Sequence, residues 1–261
     1  METEFSSSIY AGSRVDAVGF SENDRYLICI RSDDFHSLQI FDWKNKTLIA
    51  KTFTGSQSIY QAVALKEKST LESLVTIGSQ HIKFWKSFSN GYLHCISPDL
   101  SELTTSFNFI CCVSNPMNTV VGTDDGYLCV FQEYQLRQTV KAHSSAVVSL
   151  AFNEKSKSLY SGGVDGVVRV WNSSLECLKE ISLESMSKSH NFGCKAIAVS
   201  SDNHVACIGT FGGDLLEFDI RKNQLLNEIA CSRGHTMKLS GLACHPKHHS
   251  FVTTGDDAIL R

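Results

Sequence analysis

The stretch S161-G-G-V-D-G-V-V-R-V-W171 decides how this chain is read. It places Ser161, Asp165 and Trp171 close together, and His143 stands eighteen positions upstream of Ser161. Ser, His and Asp are the parts of a hydrolase triad, so the stretch is either a catalytic site or a structural lock. Its relatives elsewhere in the chain argue for the second. VGTDDGYLCVF ends at Phe131, IGTFGGDLLEF at Phe218, VTIGSQHIKFW at Trp85 and HSLQIF at Phe41. Each is a short apolar or β-branched run, a turn of Gly, Asp or Ser, and a second run closed by an aromatic residue. The aromatic positions 41, 85, 131, 171 and 218 are separated by 44, 46, 40 and 47 residues. A period of roughly 40–45 residues carrying several strands per unit is the signature of a β-propeller blade.

Each unit reads as four short strands. In the fourth they run over 146–152, 159–162, 167–172 and 175–181, parted by turn residues at 153–156, 165–166 and 173–174. No stretch of ten or more residues sustains a helical period. The last unit is short: residues 253–261 align with 161–169, and the closing aromatic would fall two residues past Arg261. The expectation is an all-β chain of five complete four-stranded blades and an incomplete sixth, with residues 1–261 forming a single propeller segment.

The repeat resembles the WD40 repeat. Ala142-His143 stands for the usual Gly-His, and Trp171-Asn172 for the usual Trp-Asp, with Ser161 and Asp165 between them. The resemblance implies a seven-bladed ring, and a hydrogen-bonded tetrad of His143, Ser161, Asp165 and Trp171 inside the blade. A fully paired buried network of that kind fixes one arrangement. A partial copy recurs in the sixth unit as His235, Thr253 and Asp257. A catalytic triad would occur once, with an exposed nucleophile and an oxyanion hole. The third unit has Asp125 and Phe131 but Val121 at the Ser position, and the fifth has Gly212 at the Asp position and Phe218 at the Trp position. Those blades are expected to rely on packing alone.

Composition narrows the function. A net charge of −3 argues against a nucleic-acid binder, which needs a basic surface. The N-terminal METEFSSSIY has no apolar core of a signal peptide, and no apolar run approaches a membrane span. The ten Cys include no C-x-x-C pair, which suits a reducing, intracellular compartment. Cys244–His249, CHPKHH, is read as a solvated turn rather than a zinc site, since zinc ligands must converge from a suitable spacing. Cys111-Cys112 is read as packing, because adjacent strand residues point to opposite faces. Gly209–Gly213, GTFGG, is followed by a strand and not by the helix of a phosphate loop. No cofactor, metal or catalytic residue is expected.

The order of several segments carries a closer resemblance. HIKFW at 81–85, LQIFDWKNKTLIAK at 38–51, VKAHSSAVVSLAFNEKSKSLYSGGVDGVVRVW at 140–171 and GHTMKLSGLACHPKHHSFVTTGDD at 234–257 are similar to blades of the echinoderm microtubule-associated-protein-like family, starting near the second blade of its first propeller. That resemblance implies a non-enzymatic interaction scaffold, cytoplasmic and associated with the cytoskeleton, whose protein partners include tubulin or microtubules. The coiled coil, basic region and second propeller of the family are not in this sequence. An adaptor role in another assembly, such as substrate presentation to a ubiquitin ligase, is the alternative. Propellers bind partners on the face where the innermost strands begin. Counting from Ala146 and Val148, the residues expected there are Arg14, Tyr60, Phe109, Lys195 and Lys238, of types enriched at binding hot spots.

Overall fold

The computed structural model describes residues 14–21, 25–65, 73–87, 92–101, 103, 107–187, 190–226, 239–244 and 251–256. Among them there is no helix. The strands fall into five four-stranded antiparallel sheets and one described pair. The chain divides into two compact units, Met1–Ser106 and Phe107–Arg261.

The first unit holds two sheets. Blade 1 is β1 (Val15–Phe20), β2 (Tyr26–Arg31), β3 (Ser37–Asp42) and β4 (Thr47–Phe53). Blade 2 is β5 (Ile59–Ala64), β6 (Ser73–Gly78), β7 (His81–Ser87) and β8 (Leu93–Ile96). β1 lies against β5, and Ile28, Ile30, Leu38 and Ile40 of blade 1 share a core with Ile59, Ala62, Leu74 and Trp85 of blade 2.

The second unit continues the pattern. Blade 3 is β9 (Phe109–Ser114), β10 (Thr119–Thr123), β11 (Tyr127–Gln132) and β12 (Gln135–Lys141). Blade 4 is β13 (Val147–Asn153), β14 (Ser158–Gly163), β15 (Val167–Trp171) and β16 (Cys177–Ser182). Blade 5 is β17 (Cys194–Val199), β18 (Val205–Thr210), β19 (Leu215–Asp219) and the short β20 (Gln224–Leu225). Of blade 6, β21 (Leu239–Cys244) and β22 (Phe251–Gly255) are described. β13 lies between β9 and β17, and β17 reaches β21. One core joins Val120, Leu128 and Val130 to Val147, Leu159 and Trp171; a second joins Tyr160, Val168 and Val170 to Ala206, Ile208, Leu216 and Phe218.

The sequence explains these elements. In every complete blade the second strand is hydrogen-bonded along both edges, by the first and the third, and its side chains pack into cores shared with an adjoining sheet; β6, β10 and β14 are buried at every position. The outermost strands β4, β12 and β16 are exposed at most positions. The five repeating aromatics all lie in the third strand of their blade and are buried. The strands of blade 4 match the expected spans to within two residues at each end.

Candidate functional site

In blade 4 the loop before β13 carries His143 back over the sheet. His143 Nδ1 lies 2.9 Å from Asp165 Oδ1, and its Nε2 lies 2.8 Å from Ser161 Oγ. Trp171 Nε1–H donates to the same Ser161 Oγ at 2.8 Å. Asp165 sits in the β14–β15 turn and also accepts from the backbone N–H groups of Ser144 and Val167. Burial disfavours the charged imidazole and outweighs the pull of Asp165, so the pKa of His143 is lowered and the ring is neutral at pH 7. Burial alone would raise the Asp165 carboxyl, yet the bond from His143 and the backbone N–H groups hold it below its ordinary value. With an acidic group at Nδ1, the ring proton sits there. Nε2 is then free to accept the Ser161 hydroxyl proton. His143 thus donates to Asp165 and accepts from Ser161, whose oxygen in turn accepts from Trp171.

Two further features complete the arrangement. Arg169 Nη1 donates to the Ala142 carbonyl at 2.7 Å, tying the loop to β15, while its Nε donates to Glu180 Oε1 at 2.7 Å. Gly163 is required by close approach: a Cβ there would fall 2.3 Å from His143 Nδ1 and 2.4 Å from Asp165 Oδ1. Ser161 is 0% exposed, so its hydroxyl faces no substrate-accessible space.

Blade 2 contains a related cluster that sequence reasoning missed. Thr76 Oγ1, at the Ser161 register, lies 2.9 Å from His81 Nε2 and accepts Trp85 Nε1–H at 2.9 Å. The imidazole here comes from the start of β7, not from the loop before β5. At the register of His143 stands Gly55, whose φ of 131° is a conformation that side chains other than glycine rarely adopt. Burial, with Lys83 and His36 adding like charge, lowers the pKa of His81 to about 4. The loop is tied by Lys83, whose Nζ donates to the Thr54 carbonyl at 2.6 Å. The signal was present in T76-I-G-S-Q-H81-I-K-F-W85: a His between the hydroxyl and the indole.

The expected partner-face residues are placed unequally. Arg14 is exposed, with its Nε 3.6 Å from Asp16 Oδ1, and Tyr60 is 45% exposed. In the second unit Lys195 is half-buried, its Nζ 5.1 Å over the ring of Phe211. Phe109 is a correction. It pairs with Thr123 as Val147 pairs with Gly163, and it is 2% exposed in the core. The turn of Pro116 and Met117 is shorter than that of Glu154 to Lys157, which shifted the count; Asn108 and Ile110 hold the surface register. Lys238 lies outside the described residues, as do His235 and Asp257 of the partial copy; Thr253 lies in β22, opposite Leu242.

The other motifs resolve simply. Cys111 and Cys112 are free and buried, and burial raises both thiols, Cys111 to about 12. Phe211–Gly213 forms the turn between β18 and β19. Cys244 ends β21, and residues 245–250 lie outside the described residues. Among the described residues, no three His, Cys, Asp or Glu side chains gather as a metal site, and no helix is long and apolar enough to cross a membrane.

Comparison with known proteins agrees with this architecture. The profile described as "Echinoderm microtubule-associated protein first beta-propeller" matches residues 7–218. Echinoderm microtubule-associated protein-like 2 from Homo sapiens is 26% identical over 253 residues, covering 94% of this chain and 37% of the relative. Echinoderm microtubule-associated protein-like 1 from Rattus norvegicus is 23% identical, covering 93% of this chain and 29% of the relative. The chain thus spans 29% to 37% of the length of these curated relatives. Among solved structures, the β-propeller domain of Cps50 (Swd1) from Myceliophteria thermophila superposes with a TM-score of 0.77 at 11% identity, covering 96% of this chain and 82% of that one. The computationally designed Ika8 protein gives a TM-score of 0.70 at 20% identity, covering 95% and 70%. These two likenesses concern the fold alone.

Proposed function

The chain belongs to the echinoderm microtubule-associated protein family, in the part that forms its first β-propeller, and on that premise we propose that it is a non-catalytic protein-interaction scaffold that contacts microtubules or tubulin. The profile match over residues 7–218 carries this reading. Residues 1–261 then act as one propeller segment, cytoplasmic and associated with the cytoskeleton, with protein partners and neither nucleic acid nor membrane as ligand. The His143–Asp165–Ser161–Trp171 chain supports the non-catalytic half of the reading. Its serine is wholly buried and spends both its hydroxyl proton and a lone pair inside the blade. A serine nucleophile also donates to a histidine, but it must be open to substrate and face an oxyanion hole, and a buried Ser161 does neither. Partner contact is assigned to residues where the innermost strands begin: Arg14 and Tyr60 in the first unit and Lys195 in the second.

Co-pelleting of the full chain with preformed microtubules over a salt series, with free tubulin on a gel-filtration column alongside, tests the proposal. Saturable pelleting that weakens with salt, and that Tyr60→Ala reduces, is the expected result. A folded, soluble sample that binds neither microtubules nor tubulin overturns it. That outcome would leave an adaptor in another assembly.

A further inference from the structure

Val120 of β10 and Tyr160 of β14 occupy the same register. Val120 lies opposite Val113 in blade 3, and Tyr160 lies opposite Ala151 in blade 4. Both point at the following blade. Tyr160 packs among Ala206, Ile208 and Phe218 of blade 5, and Val120 packs against Leu159 and Trp171 of blade 4. At the junction of blades 4 and 5 the phenol ring is wholly buried, and its hydroxyl donates to Asn203 Oδ1 at 2.8 Å, in the β17–β18 turn. At the junction of blades 3 and 4 the side chain stops at a valine. A cleft of about 270 Å³ opens there, floored by Val120, Val130, Phe152 and Leu159. Its rim is built of amides, Met117 and Lys157; among the described residues that line it, Lys157 carries the sole charge.

We propose that this cleft is a docking site for a tyrosine side chain on an acidic, extended segment of a partner protein. The molecule itself shows what fits: an aromatic ring with a hydrogen-bonding tip fills the matching place one junction further on. The apolar floor takes the ring, and the amide rim takes the hydroxyl, which a purely aliphatic side chain would leave unanswered. Lys157 sets the charge of the segment. It is 62% exposed and held by a surface contact of 3.2 Å to Glu154, a pairing worth little, so a carboxylate of the partner can replace it. Met117, 64% exposed at the lip, supplies an adaptable side chain to close over the ring. The cleft lies at the end of the sheets formed by the β9–β10, β13–β14 and β15–β16 turns, away from the face that carries Lys195. It is therefore a surface separate from the one assigned above to partner contact at Lys195.

The test uses fluorescein-labelled peptides Glu-Glu-Tyr-Glu-Glu, Glu-Glu-Ala-Glu-Glu and Gln-Gln-Tyr-Gln-Gln, titrated with the full chain by anisotropy. Burying the ring is expected to favour the tyrosine over the alanine peptide by about tenfold or more. Val120→Tyr fills the cleft as Tyr160 fills its own junction, and is expected to abolish that preference with no loss of melting temperature. Lys157→Glu is expected to weaken the acidic tyrosine peptide and spare the neutral one. If Val120→Tyr does not fold, the ¹³C-methyl resonance of Met117 in the parent chain reads occupancy directly, through the ring-current shift the tyrosine peptide causes. Equal affinity for tyrosine and alanine peptides, a preference that survives Val120→Tyr, or an unmoved Met117 methyl overturns the proposal. Self-association that Val120→Tyr abolishes, without peptide binding, assigns the cleft to a second copy of the chain and also overturns it.

Discussion

Blade 4 and blade 2 perform the same two tasks with different residues. Each must hold a buried indole N–H, and each must pin the loop that leads into its first strand. In blade 4 His143 takes part in both, because it arrives from the loop itself and bridges Asp165 to Ser161; Arg169 adds the tie to Ala142. In blade 2 the tasks are separated. His81, from within the sheet, completes the Thr76–Trp85 pair, and Lys83 ties the loop at the Thr54 carbonyl, beside the bond from Thr54 Oγ1 to the His36 carbonyl. The hydroxyl and the cation keep their registers in both blades, while the imidazole changes its origin. What the fold demands is satisfied polar groups at the indole, and the side that supplies the imidazole is open to change.

The comparison is put under greatest strain by His143→Ala. That change removes the proton donor to Asp165, the acceptor for Ser161 and the loop's anchor in one step. It is expected to cost about 4 kcal/mol, since it leaves buried partners unpaired and a cavity beside them. Urea denaturation reads the loss. A cost below about 1 kcal/mol would mean that Arg169 and the backbone N–H groups hold the loop without the imidazole, as Lys83 does in blade 2.

Acid separates the two blades next. His81 has a folded pKa of about 4 against an ordinary value of 6.5. Its folded value is depressed, so the unfolded chain binds the proton first as pH falls. Stability is full above about pH 6.5 and is lost down to about pH 4, by about 3 kcal/mol in all. His143 is shifted in the same direction, so acid loosens both blades. His81→Gln is expected to flatten part of the dependence in denaturation curves taken from pH 7 to pH 4. An unchanged slope would show that His81 takes up its proton over the same pH range in the folded and the unfolded chain.

The two blades also differ in how far the sequence revealed them. The period of the aromatics places all five closing residues in third strands, because a turn-and-strand unit of constant size repeats whatever its side chains. The spacing of His143, Ser161, Asp165 and Trp171 is legible because the WD40 pattern keeps its order along the chain. Blade 2 is not legible that way. Its His lies inside the motif, where alternation reads it as an ordinary strand residue, and Gly55 leaves no trace of the function it vacates. Phe109 failed for a related reason. Register along a strand depends on turn length, and the apolar run F109-I-C-C-V113 offers no in–out alternation to correct a miscount. The cleft at Val120 is a property of two neighbouring sheets, and no single repeat contains it.

The smallest expected effect tests whether the hydroxyl, rather than the bulk, of Thr76 matters. Thr76 is 0% exposed and serves both His81 and Trp85. Thr76→Val keeps the shape and removes the shared oxygen. The indole N–H and the imidazole Nε2 are then buried without partners, at an expected cost of about 2 kcal/mol. Thr76→Ser keeps the oxygen and gives up one methyl, at about 0.8 kcal/mol. It also reproduces the residue that blade 4 uses at this register. Thermal melts of the two variants rank the contributions. Valine below serine means that blade 2 is held by the same polar logic as blade 4. Serine below valine would mean that blade 2 packs like blade 3, where Val121 and Phe131 stand at these registers without any hydroxyl or indole, and the likeness between blades 2 and 4 would reduce to shape.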